Sequence, residues 1–326
     1  MKKIVAIVCG GDSSEHDVSM RSAEGIASFI DSERYNIYKV EIHAGKWEAL
    51  LPDGGRSKVS REDFSFEVDG KRICPDFCYI TIHGAPGENG ELQGYFDLIG
   101  MPYSTCGVLV EALTFDKFVL NNYMRAFGVS VADSLLVKIG HDKEVSDEDI
   151  VQRIGLPCFV KPSRGGSSFG TTKVKTIEAL RPAIDLALTE GEDVMVEAFM
   201  GGTEITCGCY KTKQKIVVFP ITEVVPQNEF FDYDAKYNGQ VSEITPARIS
   251  DHLAERVSKL TSMIYDILGC RGIIRIDYII TEGEKINLLE INTTPGMTAT
   301  SFIPQQVRAA GLDIRDVMTD IIEDSL

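Results

Sequence analysis

The chain has 326 residues, 44% hydrophobic and 25% charged, which predicts a soluble globular protein of two or three domains. Its net charge of −16, with no basic stretch, excludes binding nucleic acid through the phosphate backbone, so anionic substrates would have to be held by locally placed Lys and Arg. No apolar run approaches the roughly 20 residues of a membrane span, and Met1-Lys2-Lys3 leads into KKIVAIVCGG, a strand pattern without the cleavage site of a signal peptide. The eight cysteines lack the matched pairs of structural zinc and read as reduced thiols, so the expected location is the cytoplasm.

Residues 2–8 predict an apolar strand, and Gly10-Gly11-Asp12-Ser13-Ser14 then opens a helix from Glu15 to Ile30 in which Ser14-Glu15-His16-Asp17 fits a capping box. A strand over 35–42, a polar Gly-rich stretch over 45–72 and the strand CYITIHG over 78–84 follow. This strand-helix-strand opening predicts a parallel sheet with helices on its faces. His83 closes the last of these strands at the carboxyl edge, where ligands of parallel sheets bind; a lone strand-end histidine is more often structural. A boundary at Met101–Gly107 gives an N-terminal α/β unit over 1–107. A central unit over 108–199 then holds a helix over 116–127, strands over 157–162 and 194–199, and a helix over 176–189. The remainder, 200–326, reads as α+β, with strands over 203–210, 215–222 and 272–292 and helices over 250–268 and 304–323. Within it, 226–247 has little helical periodicity and is long for a connection, as lids often are; by itself it reads as a passive surface loop.

Lys161 stands at a strand end before Pro162-Ser163-Arg164-Gly165-Gly166-Ser167-Ser168-Phe169-Gly170, whose unhindered backbone N–H groups, with the lysine, can grip phosphates. The segment is neither a Walker loop nor a Gly-x-Gly-x-x-Gly fingerprint, and a flexible hairpin turn has the same appearance. Lys117, near a helix start, could add a second cation or be a solvated surface lysine. Glu197 ends the strand VMVE before Ala198-Phe199-Met200, a carboxylate and apolar neighbours suited to an adenine edge and face, and Glu204 could take ribose hydroxyls.

The runs GIIRIDYII and INLLEIN flank the polar turn Thr281-Glu282-Gly283-Glu284-Lys285 and predict a β-hairpin. Alternation puts Arg275 and Asp277 on one face of the first strand, and Leu288, Glu290 and Asn292 on one face of the second. Pairing across the turn sets Asp277 opposite Glu290 and Arg275 opposite Asn292. Two carboxylates and an amide oxygen beside a guanidinium suit Mg²⁺ carrying nucleotide phosphates; the alternative is a salt-bridged solvent face.

The ordered set Gly10-Gly11-x3-Glu15-x2-Val18-Ser19, His83-Gly84-x2-Gly87-Glu88-x-Gly90, Asp116-Lys117, KPSRGGSSFG, VEAF, FDYDAKYNG, RIDYII and LLEINTTPGMT resembles the D-alanine:D-alanine ligase family over nearly the whole chain. The resemblance implies a three-domain ATP-grasp architecture, α/β and α+β, with an N-terminal parallel-sheet domain. It implies an ATP-dependent enzyme that joins two D-alanines through a D-alanyl phosphate, for bacterial peptidoglycan synthesis, and a homodimer. It places Lys117, Lys161 and Lys236 on the ATP phosphates, Glu197 and the Phe199 backbone region on adenine, Glu204 on ribose, and Asp277, Glu290 and Asn292 on two Mg²⁺ ions, for which Mn²⁺ could substitute. Arg275 and the Gly296 N–H would stabilise developing negative charge. Glu15 would order the first D-alanine with His83, and Ser301 and Lys236 would lie near the second. Ser167 and Tyr237, with Glu15, would link N-terminal unit, phosphate loop and lid.

Two departures stand out: many members carry Arg-Glu-Gly-Ser-Ser where this chain has Arg164-Gly165-Gly166-Ser167-Ser168, and some carry lysine where it has Ala198. A D-lactate- or D-serine-joining ligase is the nearest rival, against which Lys236-Tyr237 resembles the dipeptide-forming subgroup. A non-catalytic nucleotide-binding module is the rival from another class, and it is opposed by the intact set Arg275, Asp277, Glu290 and Asn292.

Overall fold

The computed structural model describes residues 2–142, 144–165, 170–191, 193–226 and 241–326. The first sheet contains β1 (Lys3–Gly10), β2 (Tyr35–His43), β3 (Lys46–Leu50) and β4 (Arg56–Lys58), followed by a small hairpin of β5 (Phe66–Val68) and β6 (Lys71–Ile73), and then β7 (Phe77–Ile80). Its order is β4-β3-β2-β1-β7. β1 lies parallel to β2 and β7, while β3 and β4 add an antiparallel edge. The expected parallel sheet is therefore mixed, because the first part of the polar stretch over 45–72 folds into β3 and β4, which extend it, while β5 and β6 form a separate two-stranded sheet. β1 is apolar without alternation because it is central and covered on both faces: Val5 to Cys9 are fully buried.

Helix α1 (His16–Phe29) returns the chain from β1 to β2. Gly10, at φ +95°, makes the turn that leads to it, and a Cβ there would come within 2.7 Å of the Ile42 carbonyl oxygen. The expected capping box does not form. The cap residue is Glu15, whose side chain makes no capping bond. The Ser13 hydroxyl instead accepts from the Glu15 N–H (3.2 Å) and donates to the His83 carbonyl (2.8 Å), tying the entry loop to the end of the neighbouring strand.

Helices α2 (Glu91–Ile99), α3 (Val108–Phe115) and α4 (Lys117–Ala126) lead to an antiparallel sheet of order β10-β9-β11-β8. It comprises β8 (Ser134–Lys138), β9 (Cys158–Pro162), β10 (Thr172–Val174) and β11 (Asp193–Ala198). Helices α5 (Asp147–Ile154) and α6 (Leu180–Leu188) cover one face, burying Ile150, Ile154, Ile184 and Ala187 against Cys158, Val160, Val194 and Val196. Strand alternation then sends Phe159, Lys161, Met195 and Glu197 to the other face.

The third sheet has the order β15-β14-β12-β16-β17, with β13 also paired to β12. Its strands are β12 (Thr203–Lys211), β13 (Ile216–Val218), β14 (Thr222–Pro226), β15 (Val241–Ile244), β16 (Ile274–Thr281) and β17 (Lys285–Asn292). The strand expected over 215–222 is thus two short ones. Helix α7 (Asp251–Leu268), capped by the Ser250 hydroxyl, lays Leu253, Val257, Ile264 and Leu268 on Ile276, Tyr278, Ile280 and Leu288. The helix expected over 304–323 divides into α8 (Phe302–Ala309) and α9 (Ile314–Ser325), because Gly311 takes φ +70° and the Asp313 side chain caps a new start. Ile303, Val307, Val317, Met318 and Ile322 from these helices share one core with Val5, Ile7, Ala23, Ile26, Phe77 and Tyr79. The two ends of the chain are thereby packed together around α1.

Candidate active site

The hairpin β16–β17 has the register expected from its sequence: Arg275 opposite Asn292 and Asp277 opposite Glu290. The expectation for Leu288 fails. A bulge at Leu289 resets the alternation, so that Leu288 pairs with Tyr278 and is fully buried on the core face while Glu290 remains opposite Asp277. The extra residue lets one strand serve an apolar core on one face and a polar constellation on the other.

On that polar face Arg275 grips Asp277 with two hydrogen bonds, Nε to Oδ1 at 3.0 Å and Nη2 to Oδ2 at 2.8 Å. Glu290 stands 3.9 Å from the guanidinium. Burial alone would lower the pKa of Arg275, but the Asp277 and Glu290 charges outweigh it and raise the value above that of an ordinary arginine. The Asn292 amide nitrogen donates to Asp277 at 3.1 Å and Glu290 at 3.5 Å. The sequence reading turned the amide oxygen inward; two carboxylates as acceptors draw the donor end instead. Among the described residues no three His, Cys, Asp or Glu side chains converge as a metal cluster, so the hairpin's acidic donors are the pair Asp277 and Glu290.

Arg275, Glu290 and Asn292 border a cleft of about 330 Å³, whereas Asp277, held by Arg275, is not among its lining residues. Of the residues expected at a site, Glu15, His83, Lys117, Arg275, Glu290, Asn292, Gly296 and Ser301 all line it, although they come from α1, the end of the first sheet, α4, the hairpin and the turn before α8. Glu15 and His83 are buried at its N-terminal side. Thr298 anchors Ser301, its N–H donating to the Ser301 hydroxyl at 3.0 Å. α1 presses on the same turn: a Cβ at Gly25 would overlap the Met297 carbonyl oxygen.

Lys117 begins α4, where the Asp116 side chain caps the helix, accepts from the Ser163 hydroxyl at 2.6 Å and pairs with Arg164 at 3.0 Å. These bonds fix the start of the Gly-rich loop against α4, and the Lys117 ammonium donates to the Gly165 carbonyl at 2.5 Å. Burial pulls the pKa of Lys117 below the usual lysine value; Glu290 opposes this and Lys161 adds to it.

Lys161, Glu197, Phe199 and Glu204 do not border this cleft. Lys161 and Glu197 occupy the face of the second sheet away from α5 and α6, joined at 2.6 Å and largely buried, and Asn121 of α4 donates to the other Glu197 oxygen at 3.1 Å. Phe199 is part-exposed, with the Lys173 ammonium 4.1 Å from its ring centre. Glu204 lies on β12, opposite Ile279 of β16. Ser167, Lys236 and Tyr237, and most of the expected lid, lie outside the described residues. The sequence motifs leave out Asn121 and include Glu88 without giving it a role. Asn121 sits one turn after Lys117 on the same helix face, a spacing that was visible. Glu88, a cleft residue, receives the Gly84 N–H at 2.7 Å, a loop closure that only folding reveals.

A mixed N-terminal sheet followed by two sheets, with cations on one and an acidic hairpin on the other, defines a ligase of the ATP-grasp class. Family models describe the same division: the D-ala D-ala ligase N-terminus matches residues 4–106 and the D-ala D-ala ligase C-terminus matches 123–323. A D-alanine--D-alanine ligase of Bacteroides fragilis is 69% identical over 99% of each chain. Among solved structures, the VanG D-Ala:D-Ser ligase of Enterococcus faecalis has a TM-score of 0.89 at 30% identity, over 100% of both chains. The D-alanyl-alanine synthetase A of Vibrio cholerae has a TM-score of 0.88 at 26% identity, covering 99% of this chain and 98% of its own. The chain belongs to the D-ala D-ala ligase family.

Proposed function

We propose that the protein joins two D-alanines to D-alanyl-D-alanine at the expense of ATP. The observation that carries this reading is the convergence of Glu15, Lys117, Arg275, Glu290 and Gly296 on one cleft from four separate segments. An oxygen of the first D-alanine carboxylate attacks the γ-phosphorus, the bond to the ADP oxygen breaks, and ADP leaves. The amine of the second D-alanine then attacks the acyl carbon of the resulting acyl phosphate. It loses a proton, and inorganic phosphate departs with the C–O bond electrons.

Glu15 holds the ammonium of the first D-alanine. Lys117 and Lys161 neutralise the phosphates, and Lys161 exchanges part of its pairing with Glu197 for them. Glu197 then addresses the adenine edge beside Phe199, with Glu204 on the ribose. Arg275 is held rigidly by Asp277, so it presents the remaining guanidinium donors to oxygens that gain charge, without reorganisation. The Gly296 N–H serves the tetrahedral oxygen, and Ser301 lies with the second substrate. Lys236, Ser167 and Tyr237 belong to this proposal through the family pattern.

Asp277, Glu290 and Asn292 fit Mg²⁺. Asp277 Oδ1 keeps a lone pair beyond its bond to Arg275, Glu290 lies directly opposite, and the amide rotation that brings the Asn292 oxygen inward also frees the Oδ2 lone pair that accepts from the Asn292 nitrogen. Bound there, two Mg²⁺ ions would supply Lewis-acid neutralisation of the phosphates.

The proposal includes three units, 1–107, 108–199 and 200–326, a lid over 226–247, a cytoplasmic homodimer and a place in bacterial cell-wall synthesis. Mass analysis of products from ATP, Mg²⁺ and a panel of D-amino and D-hydroxy acids tests the chemistry. D-alanyl-D-alanine with equimolar ADP and phosphate is expected. Turnover with D-alanine plus D-serine or D-lactate, but scarcely with D-alanine alone, would overturn the choice of second substrate.

A further inference from the structure

We propose that Glu111 is a positioning residue for this site: its buried carboxyl, through the Thr293 hydroxyl, holds the turn that carries Asn292 on one side and Gly296 on the other. The inference rests on the ligase reading above and extends it to a residue outside the cleft lining.

Glu111 is the one ionisable residue of α3, a helix otherwise made of VLV-ALTF, and it is fully buried. Its neighbours Val110 and Leu113 are part of the core formed with Ile276, Leu288 and Ile291, so α3 lies against the back of the hairpin. A leucine would meet the packing requirement there. A carboxyl instead receives the Thr293 hydroxyl at 2.5 Å, while its second oxygen has no hydrogen-bond partner among the described residues. Burial pushes the Glu111 carboxyl well above the usual carboxylate range, with Cys106 adding to the rise and the Thr293 hydroxyl opposing it. Burial thus favours the neutral carboxyl, and the geometry makes the group a hydrogen-bonding anchor for the Thr293 hydroxyl.

The anchor stands at a junction. Thr293 directly follows Asn292, is 3% exposed, and precedes Thr294-Pro295-Gly296. On the other side of Glu111, Thr105 accepts at 3.0 Å from Gln93, whose amide also donates at 2.6 Å to the Gly87 carbonyl next to Glu88. Gln93 and Thr105 thus fix the loop after His83, and the separate Glu111–Thr293 bond ties helix α3 to the turn after the hairpin. Loss of the Glu111–Thr293 bond lets the turn drift relative to Arg275 and Asp277, and displacement of reacting groups by about 1 Å can cost on the order of 100-fold in rate.

The test compares Glu111→Gln, Glu111→Ala and Thr293→Val in the full-length protein, reading kcat, KM, melting temperature and amide hydrogen exchange of 293–297 without ligands. Glu111→Gln, neutral and nearly isosteric, should retain kcat within about twofold and normal exchange. Glu111→Ala and Thr293→Val should both speed exchange of the turn and lower kcat by roughly 10- to 100-fold. Thr293→Val keeps the test decisive if Glu111→Ala fails to fold. Unchanged turn exchange and kcat in the Thr293 variant, or equal damage in Glu111→Gln and Glu111→Ala, would overturn the proposal. The exchange readout needs no turnover, so failure of the ligase reading and failure of the anchor are separately visible.

Discussion

The bidentate Arg275–Asp277 pair permits a quantitative test. Both side chains are about 10% exposed, and both hydrogen bonds are 3.0 Å or shorter. Arg275→Met preserves most of the side-chain volume but leaves Asp277 as an uncompensated buried charge, which costs about 3–5 kcal/mol of stability at neutral pH. Asp277→Asn in the same background removes that charge and should recover about 1–3 kcal/mol, the range of a coupled contact. The loss of transition-state stabilisation is separate: removal of one preorganised donor costs about 10²–10³ in kcat, and the double variant should recover none of it. Urea denaturation of wild type, both single variants and the double variant gives the coupling energy, and ADP release gives kcat. Additive stabilities, with no recovery in the double variant, would refute the structural account. Recovery of kcat together with stability would show that Arg275 serves the fold and not the reaction.

Glu290→Gln should raise the Mg²⁺ concentration for half-maximal turnover and lower kcat by at least about 100-fold, while the melting temperature changes little because Glu290 is 35% exposed; near-normal turnover would remove Glu290 from the mechanism. Lys117 has its pKa lowered by burial, so its positive charge is complete below that value and disappears as pH rises through it, sooner than for an ordinary lysine. KM for ATP should therefore climb on the alkaline side, with the climb abolished in Lys117→Arg; parallel profiles for the two proteins would exclude Lys117 as the cause. Gly25→Ala should gain about 1 kcal/mol from helix propensity on a count that ignores packing. The overlap with the Met297 carbonyl predicts instead a net loss of about 1–3 kcal/mol and a fall in kcat, measurable by thermal melts and ADP release.

The local pattern of the chain carried a great deal. Alternation within two short runs put Asp277 opposite Glu290, a pairing the structure has because the Leu289 bulge shifts by one residue the register set at the turn, where Thr281 pairs with Lys285. The apolar run of β1 and the 3.6-residue periodicity of α1 and α7 were legible for the same reason: each reflects the face that a nearby partner must cover. What escaped was nonlocal or too short to show a period. The strands β8 and β10 and helix α5 have 5, 3 and 8 residues, too few for a period to stand out from flanking polar sequence. The Leu289 bulge was invisible because it inserts a residue without altering the character of either neighbour.

The sequence by itself determined the acidic hairpin, the order of the site motifs and the family, since all three depend on residues close together in the chain or on their succession. Only the tertiary structure decided that Glu15 and Ser301, 286 residues apart, line one cleft. It also decided that Lys161 and Glu197 hold each other, and that the last two helices close the core begun by the first strand. Those facts depend on how apolar faces from distant segments cover one another, and that choice is made by the whole chain at once.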